Sequence, residues 1–225
     1  MQHVSFKYGG FMPKKPDSSQ KTKRKILDSA TELFAKKGFD GISTRDICKA
    51  AGVNISMISY YFGGKEELYS KVVSSIVENI IQYVMNNMGT KELPQSFEHL
   101  SKEEKIAALF KFLDMMMDYF YSDKISDSEI MIIFREQMTS GVPLNAEGYK
   151  VLKRLLASIL GRDENDKEII FRTITIVGQI HSAKILKQFS LKLMNQSGYS
   201  KQDIQMLKQI VMGQVKAILK DLGAV

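Results

Sequence analysis

Cysteine is almost absent from this 225-residue chain. Cys48 stands alone, so no internal disulfide can form, and a single thiol inside an apolar-periodic segment is expected to be buried and inert. A reducing, cytoplasmic setting suits it best. Histidine is nearly as scarce: His3, His99 and His181 are isolated in the sequence. With one cysteine beside them they offer no metal-ligand spacing and no catalytic constellation. A phosphate-binding G-x-x-x-x-G-K-[ST] loop is missing too, since Gly63-Gly64-Lys65 lacks its other half. These absences argue against an enzyme and imply neither metal nor cofactor. Long apolar runs are also missing. None exceeds the five residues from Ile130 to Phe134, and the start MQHVSFKYGGFM lacks the apolar core of a leader, so no membrane targeting is expected.

What is present is an ordinary globular composition, 44% apolar, with a net charge of +7 that is unevenly spread. Residues 1–78 hold 13 Lys/Arg against 8 Asp/Glu, whereas residues 79–225 hold 19 against 17. A basic amino-terminal third suits a polyanionic partner, because Lys and Arg that neutralise phosphates release condensed counterions.

Residues 1–20 are Gly-, Pro-, Ser- and Lys-rich without periodicity and read as a mobile, disordered arm in which Met12 is an alternative start. Helical spacing begins at Lys21. Ile26, Leu27, Ala30, Leu33 and Phe34 form one stripe, and Gly38 follows Lys36 and Lys37 as a left-handed stop. Ser43 three residues before Asp46 has the form of a capping box, opening a short second helix with Ile47 and Ala50 as its stripe. After Ala51-Gly52 a third helix can start at Asn54, a good N-cap, so helices two and three must cross steeply. This is the helix-turn-helix arrangement.

A wheel over the third helix puts Ile58 at the centre of the buried face with Phe62 beside it, flanked by Ile55 and Tyr61. Ser56 and Tyr60 point away, and Met57 and Ser59 lie on the shoulders. The outward face is therefore neutral, hydroxyl-rich and aromatic where a solitary surface helix would carry Lys and Glu. Such a face suits base edges in a major groove. Lys65 opens a fourth helix with the wrong sign for the helix dipole, a conflict that a nearby phosphate would resolve.

The segment Ile26 to Val72, ILDSATELFAKKGFDGISTRDICKAAGVNISMISYYFGGKEELYSKVV, resembles the DNA-binding domain of the TetR family of bacterial transcriptional regulators. Three features match: the A-x-x-L-F-x-x-x-G-[FY] ending of helix one, the S-T-x-x-I-x-x-x-A-G-V entry to the turn, and the Y-x-F-x-x-K-E-x-L exit. The resemblance implies a recognition helix over Asn54–Phe62, with base contacts from Ile55, Ser56, Met57 and Tyr60. It implies phosphate contacts from Thr44, Tyr61 and Lys65. One departure stands out: Ser59 occupies a position where many members have tyrosine, so the aromatic pair is displaced to Tyr60 and Tyr61.

The rest of the chain reads as helices only. A segment after Ser101 and Glu104, with Leu109, Phe110, Phe112, Leu113, Met116, Met117 and Phe120, is apolar on more than one side and should lie at the centre of a bundle. Helices over Ser126–Met138 and Leu144–Leu160 are parted by Gly141-Val142-Pro143, and Leu93-Pro94 breaks the chain after helix four. Residues 164–194 read as one long helix carrying Ile170, Ile174, Val177 and Ile180. The last helix repeats Ile204, Leu207, Val211, Val215 and Ile218 as a narrow seam.

The expectation is an all-α chain: an arm over residues 1–20, a three-helix helix-turn-helix head over 21–66, and a helical bundle over 67–225 for ligand binding and dimerisation. The resemblance implies a homodimer through the last two helices, although the seam can equally pack inside its own subunit. A two-fold dimer also supplies the second half-site that one short recognition helix needs. By the same resemblance a small apolar effector binds in the bundle. Phe110, Met116, Phe120, Phe134 and Met138 are candidate walls. Arg135, Gln179 and His181 are polar groups within apolar runs that need partners if buried, and His181 reads equally as a satisfied core histidine. The function so implied is a repressor released from a palindromic operator by its effector. The alternative is an architectural or cell-division DNA-binding protein without an effector.

Overall fold

The computed structural model describes residues 18–139 and 146–224, and among these every regular element is helical. In chain order they are α1 Ser18–Lys37, α2 Thr44–Ala51, α3 Ser56–Phe62, α4 Lys65–Met88, α5 Lys102–Phe120, α6 Asp127–Thr139, α7 Ala146–Leu160, α8 Lys167–Ile185, α9 Lys187–Leu193 and α10 Lys201–Asp221. The expected arm over residues 1–17, the alternative start at Met12, the breaker Gly141-Val142-Pro143 and Leu144 lie outside the described residues. Ser18 to Gln20, expected in the arm, form the first turn of α1 instead. The chain divides into two compact units, one ending at Ser70 and one beginning at Lys71.

In the first unit α1 packs on α2 and α2 on α3. Ile26, Ala30, Phe34, Ile42, Ile47, Cys48, Ala51, Ile58 and Leu68 are buried together as its core. The α1 stripe is the expected one, ending at Gly38 with φ 78°. The α2 stripe is shifted by one residue: Cys48 and Ala51 are buried beside Ile47, whereas Ala50 is exposed. Eight residues make barely two turns, so the steep packing on both neighbours decides which flank is covered. The Cys48 thiol is buried as expected, and burial raises its pKa above the ordinary thiol range.

The second unit is built around α5, whose Leu109, Phe112, Leu113, Met115, Met116, Met117, Tyr119 and Phe120 are all buried. Helices α7, α8 and α10 pack on it, and α4 adds Val72, Ile76, Ile80 and Val84 to the buried set. The helix apolar nearly all round is thus the central one. Burying apolar surface of this extent is worth roughly 25 cal/mol per Å².

Two sequence expectations fail here. Residues 164–194 are not one helix. Asp166 caps the start, its carboxylate accepting the Glu168 N–H at 2.8 Å. At Leu186 the axis then turns by 62°, separating α8 from α9. No Gly or Pro marks that break. A tertiary contact supports it: the Tyr199 hydroxyl donates to the Ala183 carbonyl at 2.7 Å. The row facing the core along α8 is also different, namely Ile169, Thr173, Ile176 and Ile180, while Ile174 is exposed.

The seam of α10 faces inward. Val211, Val215 and Leu219 are buried within the same chain, where α10 meets α5 and α8. Lys208 joins them, its ammonium held by Asp114 and Asp118 of α5, each at 2.7 Å. The apolar row left outside on α10 is Met206, Ile210, Gly213 and Ala217, spaced four, three and four residues apart.

Candidate nucleic-acid interface and apolar groove

The turn between α2 and α3 is set by local chemistry. The Ser43 hydroxyl accepts the Asp46 N–H at 3.2 Å, and the Asp46 carboxylate accepts the Ser43 N–H at 2.9 Å, completing the capping box. Those bonds hold the Asp46 carboxyl below the usual carboxylate range. At the other end of α2, Gly52 sits at φ 65°. The N–H of Val53 reaches the Cys48 carbonyl at 3.0 Å and that of Gly52 reaches Lys49 at 3.3 Å. This is a Schellman closure, which requires the left-handed residue that glycine supplies at least cost. Two residues later the Asn54 carboxamide oxygen accepts the Ser56 N–H at 3.0 Å. Asn54 therefore caps the third helix as its sequence suggests, although regular helix begins only at Ser56.

On α3 Ile58 is buried, and Tyr60 is the most exposed large side chain of the segment at 77%. Ile55, Ser56 and Ser59 are exposed, with Met57, Tyr61 and Phe62 half-buried. The wheel is right in its centre and its outward pole. It errs for Ile55, which stands just before the first turn and is 47% exposed. The Ser56 hydroxyl donates to the Asn54 oxygen at 3.0 Å, leaving its own lone pairs as acceptors for a base amino group. Tyr61 lies edge-on to Tyr60, ring centroids 4.8 Å apart, and faces Phe62 at 6.4 Å. Tyr60 projects while Tyr61 is braced from both sides.

Around this face lie the groups expected at phosphates. Thr44 is half-buried at the start of α2. The Lys65 ammonium rests 4.2 Å from the Phe39 ring centroid, and Phe39 is itself packed edge-on to Tyr69 at 5.2 Å. A cation over an aromatic face is attracted by roughly 0.5–1 kcal/mol at an exposed site, so Lys65 is positioned rather than free to sweep. No basic residue of α1 is among the phosphate contacts that the family resemblance implies. Lys23 lies 5.7 Å from the Phe62 ring, and Lys21, Lys23 and Arg24 line a 390 Å³ depression on the first turns of α1. Exposed Arg45 follows Thr44 on α2. The charge surplus of the amino-terminal third was the available signal for these cations, but spacing alone does not say which of them share a face.

The proposed pocket residues do not converge on one cavity. Met116 and Phe120 are buried core, Phe110 is half-buried on α5, and Met138 is 86% exposed. Arg135 is half-buried on α6 and Gln179 on α8, neither among the residues lining the groove described next. Among the described residues the Gln179 side-chain oxygen is buried without a hydrogen-bond partner. Phe134 and His181, in contrast, do come together. They line a 350 Å³ groove with Gln137, Tyr149, Ile174, Val177, Gly178 and Ile185. His181 lies edge-on to Phe120 at 4.3 Å and to Phe134 at 5.4 Å. Desolvation in this apolar setting lowers its pKa to about 4, so the imidazole is neutral near pH 7. Ile174, Val177, Gly178, His181 and Ile185 of α8 form one wall of the groove, and no residue of the central helix α5 lines it.

Comparison with known proteins agrees with both halves. The model for bacterial regulatory proteins of the tetR family matches residues 26–72, and that for the C-terminal domain of the HTH-type transcriptional dual regulator CecR matches residues 148–222. The chain is 37% identical over 100 residues to YttP of Bacillus subtilis (strain 168), a probable HTH-type transcriptional regulator. That alignment spans 41% of this chain and about half, 48%, of YttP. It is 24% identical over 216 residues to the dual regulator CecR of Shigella flexneri, spanning 91% of this chain and 94% of CecR. In fold it is similar to a TetR-like transcriptional regulator from Rhodococcus sp. RHA1, with TM-score 0.53 and 15% identity, over 87% of this chain and 96% of that one. With its capped helix-turn-helix followed by an all-helical second unit, the chain carries over residues 26–72 a domain of the tetR family of bacterial regulatory proteins.

Proposed function

We propose that this regulator binds a palindromic operator as a homodimer, represses from it, and is released by a small apolar effector. The head over residues 21–66 reads the DNA, and the body over 67–225 dimerises and senses, acting in the cytoplasm. The observation that carries the DNA reading is the face of α3, where Ile55, Ser56 and Tyr60 are exposed around buried Ile58. Ile55, Ser56, Met57 and Tyr60 meet base edges, with Tyr60 favoured over Tyr61 as the reader because it alone projects. Thr44, Tyr61 and Lys65 hold phosphates, joined by Lys23, Arg24 and Arg45.

The dimer uses the outward rows of the last long helices: Phe171, Gly178 and Ser182 on α8, and Met206, Ile210, Gly213 and Ala217 on α10, all exposed in the single chain. Four such helices from two copies form a bundle in which the glycines allow close approach. The effector occupies the groove of Phe134, Tyr149, Val177 and His181. Its rim residues Ile174 and Gly178 border the dimer row, so a ligand there acts on the spacing of the two heads. An effector that prefers the DNA-incompetent spacing lowers operator affinity by that differential.

The test is duplex selection from a random pool, followed by binding to the selected operator across salt concentrations. Tyr60→Ala is expected to blunt discrimination between sequences, and Lys65→Ala to flatten the salt slope by about one. If both variants bind as wild type does, this assignment of the recognition face is wrong.

A further inference from the structure

The apolar groove does not end at Ile185. A second trough of 220 Å³, lined by Asp127, Ile130, Met131, Phe134, Lys184, Ile185, Lys187 and Gln188, shares Phe134 and Ile185 with it as walls. One end is aromatic and aliphatic with a neutral imidazole, and the other carries two lysines. The Lys184 ammonium is 3.1 Å and the Lys187 ammonium 2.5 Å from the single carboxylate of Asp127. Two cations on one anion leave a local surplus of one positive charge. The Lys184 side chain is only 11% exposed and that of Lys187 28%, whereas Asp127 is 55% exposed. The cations are thus held at the trough with their counter-charge on the water side. Lys184 stands in the last turn of α8 and Lys187 opens α9, and both reach the same carboxylate.

We propose that this double groove binds an amphipathic organic anion, its apolar body along Phe134, Val177 and His181 and its carboxylate on Lys184 and Lys187. The inference rests on the effector reading above and gives it a chemical class. A carboxylate entering the trough takes over ammonium donors now shared by Asp127, which swings to solvent with little loss because it is already half outside. A neutral molecule of the same length gains only the apolar contacts. A cationic one meets two lysines with no free acid. The larger groove lies within the roughly 300–1,000 Å³ usual for small-molecule sites, and charge-assisted bonds from two ammonium groups fix the ligand's direction in it.

The experiment is calorimetric titration of the full chain with three ten-carbon probes: decanoate, decanol and decyltrimethylammonium. Decanoate is expected to bind at least tenfold more tightly than decanol, with the cation weaker still. Lys184→Met/Lys187→Met should remove that tenfold preference while leaving decanol unchanged, and Lys192→Met should leave all three alone. Asp127→Asn, which loses no cation, should tighten decanoate severalfold, so the idea stays testable if the double variant fails to fold. Equal affinity for decanoate and decanol, or a preference that survives the lysine substitutions, overturns the proposal. Operator binding is measured separately with decanoate present. Binding in the groove without loss of operator affinity upholds the site and refutes release by such an effector. Absence of decanoate binding refutes the anion site and leaves the operator and dimer readings to their own tests.

Discussion

Replacing His181 by glutamine should remove a specific acid sensitivity from the second unit. The imidazole is 3% exposed, flanked by Phe120 and Phe134, and its pKa is lowered to about 4 by desolvation. In the unfolded chain the same group titrates at about 6.5. Between those values the unfolded state binds a proton that the folded state refuses, so stability falls as pH falls, by up to about 1.4 kcal/mol per pH unit. From pH 7 to pH 5 the loss from this one group is about 2 kcal/mol. Below about pH 4 no further loss comes from it. Urea unfolding followed by helical circular dichroism at several pH values gives the wild-type curve. The His181→Gln curve should be flatter over that window by the same amount, whatever the variant's baseline stability. Titration of the ring proton by NMR provides a direct midpoint. Parallel stability curves, or a midpoint above pH 6, would show that the ring is hydrated and that the groove floor is not as dry as its aromatic neighbours imply.

Ser43→Ala should cost the first unit about 1 kcal/mol of thermal stability by removing the side-chain half of the capping box, and Ser43→Asp should recover most of it; calorimetry reads both. Ile58→Ala leaves a cavity under the recognition helix and should cost about 2–5 kcal/mol, weakening every operator sequence alike, which separates it from Tyr60→Ala. Lys208→Met should be mildly destabilising, about 1 kcal/mol given how exposed Asp114 and Asp118 are. Burial alone would disfavour the Lys208 charge, but the two carboxylates outweigh it and raise its pKa above the ordinary lysine range. The ion-pair contribution is therefore full below about pH 10.4 and lost as pH rises through the raised value, so wild type and variant should converge in strong alkali. Ile210→Asp puts a charge in the outward row of α10 and should shift sedimentation from dimer to monomer without changing the helix content; an unchanged dimer would rule that row out.

The head was legible because its determinants are local. Capping by Ser43 and Asp46, the left-handed Gly38 and Gly52, and the Asn54 cap act within six residues, so sequence spacing reports them directly. The wheel over α3 found Ile58 and Tyr60 for the same reason. The body was legible only as helices. Periodicity at α10 was real, but period alone does not say whether the row at Val211 or the row at Ile210 faces inward, and the packing of α10 on α5 and α8 decided that. Spacing was equally silent on which candidate pocket residues are covered: Met116 and Met138 look alike in sequence, yet one is core and the other is exposed.

By itself, then, the sequence determined the helical class, the helix-turn-helix with its outward face, and the head's likeness to the tetR family, since each rests on hydrogen bonds and side-chain periods contained in one short segment. Tertiary structure alone decided where α8 ends and α9 begins, which stripe of α10 is buried, and that His181 and Phe134 meet while Lys184 and Lys187 converge on Asp127. Those outcomes depend on contacts between residues from 16 to 94 positions apart, whose free energy arises only when distant apolar surfaces and charges are brought together out of water.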